Sequence, residues 1–204
     1  RGAIDTLIAG GYDFRRTRQE EIDERVVNLD SFEFPYDWRR DIVESAQELD
    51  DFITRKTRQV AQARQKAFGT NAGPFKFDIM AHSMGALVAR YYLMYGAADL
   101  PADGSMPELT WAGAKNVSRV IYVAPPNAGS VISFENLVNG KSFGPLQPEF
   151  SAALIGTHVA TYQLLPRPRH GRITVAGDDT APDIYDVEDW ARHGWGLLDP
   201  RQDV

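Results

Sequence analysis

From Ile42 to Ala67 the apolar residues Ile42, Ala46, Leu49, Ile53, Val60, Ala63 and Ala67 recur at near-helical spacing, while Glu44, Glu48, Asp51, Arg55, Arg58 and Arg64 fill the other face. This pattern predicts a long helix from Asp41 to about Ala67 with one packed stripe. A period of two governs the next stretch, where Phe75, Phe77, Ile79 and Ala81 alternate with Lys76, Asp78 and Met80 and so predict a buried strand. Immediately afterwards Ala86, Leu87, Ala89, Tyr91, Leu93 and Met94 spread round a second helix that Gly96 terminates. On either side, "RVVNLDSFEF" (Arg25 to Phe34) and "VSRVIYVA" (Val117 to Ala124) read as further strands. "PYDWRR" and "GTNAGP" are the first breaks between these elements, and the Pro- and Gly-punctuated run "ADLPADGSMPELTWAGAKN" is a surface connection. The order β-α-β-α-β predicts an α/β fold: a mostly parallel sheet covered by helices on both faces, with ligands at the carboxyl ends of its strands.

Ser83 falls on the hinge between the Phe75 strand and the helix that follows. A serine at a tight strand-to-helix turn lifts its hydroxyl above the sheet edge, and the N–H of the next residue, Met84, points at the same space with the helix dipole behind it. Such a turn needs small residues two positions either side. Ala81 and Gly85 supply them, giving A-x-S-x-G in place of G-x-S-x-G. The competing reading makes Ser83 an ordinary N-cap, a position that serine favours.

Composition narrows the function classes. The 204 residues are 43% hydrophobic and 25% charged, enough for one globular domain with a sizeable core. A formal net charge of −6 supplies no basic field to gather nucleic acid or an anionic membrane. There is no cysteine, which excludes disulfides and thiolate metal sites but leaves the compartment open. No apolar run is long enough to span a bilayer, and the start "RGAIDTLIAG" has neither an initiator Met nor a signal-peptide layout, so the chain is expected to be part of a longer one. The charged stretch "GGYDFRRTRQEEIDER" reads as a solvated helix or loop. No pair of histidines with a carboxylate shows a metal-ligand spacing, so neither a metal nor a cofactor is expected.

Several segments in fixed order carry a family resemblance: "FPYDWRRDIVESAQELDDFI", "AHSMGALVARYY", "IYVAPPNAGS", "YQLLPRPRHG" and "DIYDVEDWARHGWGL". Together the chain resembles bacterial α/β-hydrolases similar to lecithin:cholesterol acyltransferase over nearly its whole length. That likeness implies an α/β-hydrolase core with a helical cap or lid, here residues 1–129 and 130–204. It also implies acyl transfer from lipid-like or other esters to water or an alcohol, with Ser83 as nucleophile.

A serine nucleophile needs a histidine base oriented by a carboxylate, in chain order Ser, Asp or Glu, His. The resemblance places that pair after the cap, beyond Val204, and places the second oxyanion donor before Arg1. The rival assignment uses Asp178 (or Asp179), in "RITVAGDD", and His193. His82 is expected to be packed or hydrogen-bonded, and His158 and His170 to be satisfied structural histidines. The segment from Pro125 to about Arg169 is too apolar for a solvated loop. It reads either as a mobile lid that excludes water and contacts a lipid interface, or as a fixed helical subdomain with its own core. Tyr36, Asp37, Trp38, Pro126 and Asn127 are the expected substrate-binding residues, against a reading in which Trp38 is core and Asp37 pairs with Arg39 or Arg40. Beside a serine hydrolase or acyltransferase stands one alternative, a non-catalytic binding protein of the same fold with an incomplete triad.

Overall fold

The computed structural model describes residues 2–12, 31–70, 73–142, 144, 149–171, 173–174 and 181–201. The amphipathic stripe forms helix α2 (Ile42–Phe68), preceded by a short helix α1 (Ala3–Ala9) that the sequence reading did not anticipate. Helix α2 starts where Asp41 accepts from the Val43 N–H, and ends where Gly69 turns left-handed at φ 65°. Its buried residues run from Ile42 to Val60, and the last two turns, with Ala67 and Phe68 exposed, extend past the core.

Strand β1 (Phe77–His82) leads to helix α3 (Gly85–Tyr95), and β2 (Val117–Val123) lies parallel beside β1. The pairing slips once, between Phe77 and Asp78, and then runs in step to His82 opposite Val123. Phe77, Ile79 and Val120 pack with Ile42, Ala46, Leu49, Ile53, Val88 and Tyr92 into the main core. That core explains why both helices lie on one side of the sheet.

Two expectations change. The other face of the sheet is not covered by the described residues: Met80, Ile121 and Val123 are 41%, 53% and 39% exposed, and His82 is exposed beside them rather than packed. Ser31 to Phe34, the described end of the expected first strand, is assigned no strand, and its residues 25–30 lie outside the described residues. The period-two alternation survives there, with Phe32 and Phe34 half-buried and Glu33 exposed. Phe34 stacks on Tyr36 and tilts against Phe52. Side-chain packing helps to keep this segment extended beside α2, while a strand assignment requires a ladder partner.

Beyond β2 the described residues form the short α-helices α4 (Val131–Asn139), α5 (Ala152–Ile155), α6 (Val159–Gln163) and α7 (Val187–His193). Leu137, Ile155, Leu165 and Ile184 form a second buried cluster, lined by Phe134, Trp190 and Trp195 at 5.0 to 5.9 Å between ring centroids. The region after β2 therefore holds a second buried cluster, while Ala160 and Leu164 of the same region pack into the main core.

Candidate functional site

The site is built where β1 turns into α3. Ser83 adopts φ +52°, a left-handed conformation that costs a non-glycine residue about 1–3 kcal/mol and persists only where neighbours hold it. Its N–H donates to the Val123 carbonyl at 2.9 Å, adding one rung to the ladder beyond the strand. Ala124, the next residue of the neighbouring strand, is also left-handed at φ +47°, so both chains leave the sheet abruptly at the same edge.

Small side chains make this turn possible. Ala81, Ala86 and Ala89 are buried together beneath Tyr122, which lets α3 approach the strand closely. At Gly85 an added Cβ would stand 3.4 Å from the Tyr36 hydroxyl. The alanine in place of the first glycine is therefore accommodated, and Tyr36 occupies the space that the second glycine leaves.

Met84, not Ser83, is the N-cap of α3, and no side chain caps that helix end. Ser83 as a residue is exposed, and no side-chain hydrogen bond caps α3, which disfavours the N-cap reading. Among the described residues no acceptor is recorded for the Met84 N–H, while its side chain is buried in the main core. A free N–H at a helix start next to an exposed serine is chemically suited to stabilise negative charge on a nearby oxygen.

Of the other expected site residues, Tyr36 borders this turn at Gly85. Tyr36 is half-buried, and burial pushes its phenol above the ordinary value. Asp37 is forked by Arg39 at 2.8 and 2.7 Å, and those hydrogen bonds hold its carboxyl well below the usual carboxylate range. Trp38 is 50% exposed, so it is not core. Pro126 and Asn127 lie on the turn after β2 that closes with Gly129 N–H donating to the Pro126 carbonyl at 3.0 Å. Of the rival acid and base, Asp178 lies outside the described residues. His193 stacks on Trp195 at 4.5 Å, within the aromatic wall of the second core.

Sequence reasoning expected His158 to be a satisfied structural histidine; it is buried, but its Nδ1 is not satisfied. Trp38 meets it edge to face at 5.2 Å, and the imidazole is 7% exposed with no partner for its Nδ1. It lines a cleft of about 510 Å³ with Asp37, Arg39, Arg40, Asp41, Glu44 and Leu154. Burial pushes the His158 pKa below its ordinary 6.5, with the charge of Arg39 adding to the effect and Asp37 opposing it. An unfolded chain therefore takes up this proton at a higher pH than the folded one. The stability that neutral His158 contributes is full above 6.5 and falls as pH drops through 6.5 toward the lower folded value. Thermal unfolding at about pH 7.5 and about pH 5.5 should show a smaller acid-induced loss in His158→Phe than in the wild type; equal losses would remove His158 from this account. A lone buried histidine between a Trp-containing loop and a short helix carries no sequence signal, because its burial is made by residues more than a hundred positions away.

One solved structure similar to this chain is described as "The crystal structure of Tle4-Tli4 complex", at 23% sequence identity and a TM-score of 0.46, covering 66% of this chain and 24% of that one. The chain thus spans about a quarter of the length of the protein it matches there. No curated protein matches it. The family model described as lecithin:cholesterol acyltransferase matches residues 6–186, from α1 through the strained serine turn into the region after β2, and the chain belongs to that family.

Proposed function

We propose that this chain carries the nucleophile and cap of a serine-dependent enzyme that transfers acyl groups from lipid-like carboxylic esters to water or an alcohol. The observation that carries this reading is the left-handed, exposed Ser83 at the sheet's carboxyl edge, with the N–H of Met84 free beside it. In this reading Ser83 Oγ attacks the ester carbonyl, and the Met84 N–H takes part of the charge that develops on the carbonyl oxygen. Collapse of the tetrahedral intermediate expels the alcohol and leaves an acyl-serine, which water or a second alcohol then resolves. Membership of the lecithin:cholesterol acyltransferase family supports an acyl ester as substrate.

The core of an α/β-hydrolase, residues 1–129, then supports a cap, residues 130–204. Tyr36, Asp37, Trp38, Pro126 and Asn127 would line the approach to Ser83 from the two flanking loops. Val131 and Ile132, each 63% exposed at the start of α4, are the apolar side chains the cap would offer to a lipid interface. Within this chain the acid and base candidates are Asp178 and His193, although the stacking on Trp195 suits a structural role for His193 better.

A second reading, a binding protein that keeps the fold without turnover, has one observation in its favour: among the described residues no imidazole is hydrogen-bonded to the Ser83 hydroxyl. A fluorophosphonate probe on the full-length protein separates the two. Labelling of the wild type that disappears in Ser83→Ala supports the nucleophile. Labelling that persists undiminished in the variant rejects it, and a wild type that never labels favours the binding protein.

A further inference from the structure

We propose that Gln163 is a positioning residue for the candidate site: its side-chain amide clasps the N-terminus of α2 and so fixes α6 against the residues behind Ser83. This rests on the reading of Ser83 as nucleophile. Gln163 Oε1 accepts from the Ile42 N–H at 2.9 Å, and its Nε2 donates to Asp41 Oδ1, also at 2.9 Å. The same carboxylate oxygen accepts from the Val43 N–H at 2.7 Å. A residue 121 positions away thus completes the cap of α2, satisfying an N–H that the helix itself cannot.

The clasp sits at the middle of a seam. On one side of it the Ala160 N–H donates to the Arg39 carbonyl at 3.4 Å; on the other the Leu164 carbonyl accepts from the Ser130 N–H at 2.7 Å, joining α6 to the loop that leaves β2 beside Ser83. Between these, Ala160 is 1% exposed and packs with Leu164 in the same core cluster as Met84 and Tyr36. Releasing α6 would therefore loosen both the wall behind the Met84 N–H and the turn carrying Pro126 and Asn127.

Glutamine has the chemistry that this position demands. The Ile42 N–H needs an acceptor while Asp41 needs a donor, and a primary amide supplies both without charge. Asparagine is one methylene short. Glutamate would set a second carboxylate against Asp41, where the neighbouring charges are already committed: Arg40 pairs with Glu44 and Glu48, and Arg39 is forked on Asp37. His158, the remaining titratable group in that cleft, is buried, and burial pushes its pKa below the ordinary value.

The test uses the full-length protein, with Gln163→Glu and Gln163→Met, and follows fluorophosphonate labelling of Ser83 together with amide hydrogen exchange of Ile42 and of residues 159–166. At about pH 8, Gln163→Glu should label about tenfold more slowly than the wild type and exchange Ile42 about tenfold faster. Both ratios should return toward one near pH 5, where a shared proton lets one carboxyl donate to the other. Gln163→Met, with neither donor nor acceptor, should be impaired at every pH. If Gln163→Met fails to fold, the pH-dependent recovery of Gln163→Glu still decides. Faster exchange with labelling at the wild-type rate would reduce the clasp to a structural one and overturn the positioning role; unchanged exchange would overturn the clasp itself. If Ser83→Ala labels like the wild type, the nucleophile reading fails, while the exchange measurements still stand on their own.

Discussion

Ser83→Gly is expected to raise the stability of the protein and, on the proposed function, to abolish acyl transfer. Left-handed backbone at φ +52° strains a serine and not a glycine, so the substitution relieves a cost of about 1–3 kcal/mol. The greater freedom of glycine in the unfolded chain returns about 0.5–1 kcal/mol of that, and a net gain of about 1 kcal/mol should remain. Loss of the attacking oxygen removes covalent catalysis altogether, and in serine hydrolases removal of the nucleophile costs on the order of a millionfold in kcat. Denaturant unfolding and ester turnover of the full-length protein, measured on the same preparations, check both halves. A Ser83→Gly protein less stable than the wild type would mean that the turn is not strained. One that retains turnover would mean that the hydroxyl is not the nucleophile. The opposite signs of the two effects are what a functional origin for the strain requires, because a merely structural turn would favour glycine at that position.

Gly129→Val is expected to be strongly destabilising. Gly129 has φ +85°, and a Cβ built there would lie 2.5 Å from Pro166 Cα and 2.6 Å from Pro166 N, backbone atoms that cannot swing aside. Left-handed strain and overpacking each cost about 1–3 kcal/mol, so a loss of about 4 kcal/mol follows, a large share of the 5–15 kcal/mol of a typical domain. Gly104 provides the control. It has a similar φ of +76° but open space around its Cβ position, and Gly104→Val should lose less than about half as much. Thermal unfolding of the two variants compares them directly, and equal losses would show that the contact with Pro166 is unimportant. This is where the loop leaving β2 beside Ser83 passes against the segment leaving α6.

The elements of this fold divide clearly by what determines them. Helix α2, strands β1 and β2 and helix α3 were legible in the sequence within about two residues, because periodicity, an Asp N-cap and glycine stops are local features. The strand-turn-helix position of Ser83 was legible for the same reason, since the need for small residues at 81 and 85 acts over one turn of chain. Sequence pattern also found the apolar character of the segment after β2, but it left a mobile lid and a fixed subdomain equally open. Tertiary structure gave that segment a second buried cluster around Leu137 and Ile155 and tied α6 to α2 through Gln163.

Pattern went wrong where an element depends on a partner. Ser31 to Phe34 has the alternation of a strand, yet strand status belongs to a pair of chains, and here the segment packs against α2 without a strand assignment. Met80, Ile121 and Val123 look like core residues of a sheet covered on both sides, although the described helices cover one. The sequence by itself determined the local chain reversals and the identity of the exposed serine, because those depend on backbone sterics within a few residues. Only the tertiary structure decided the left-handed conformation of Ser83, the sealing of His158 and the clasp of Gln163 on α2, because burial and hydrogen-bond partnership are settled by residues that meet across as many as 122 positions of chain.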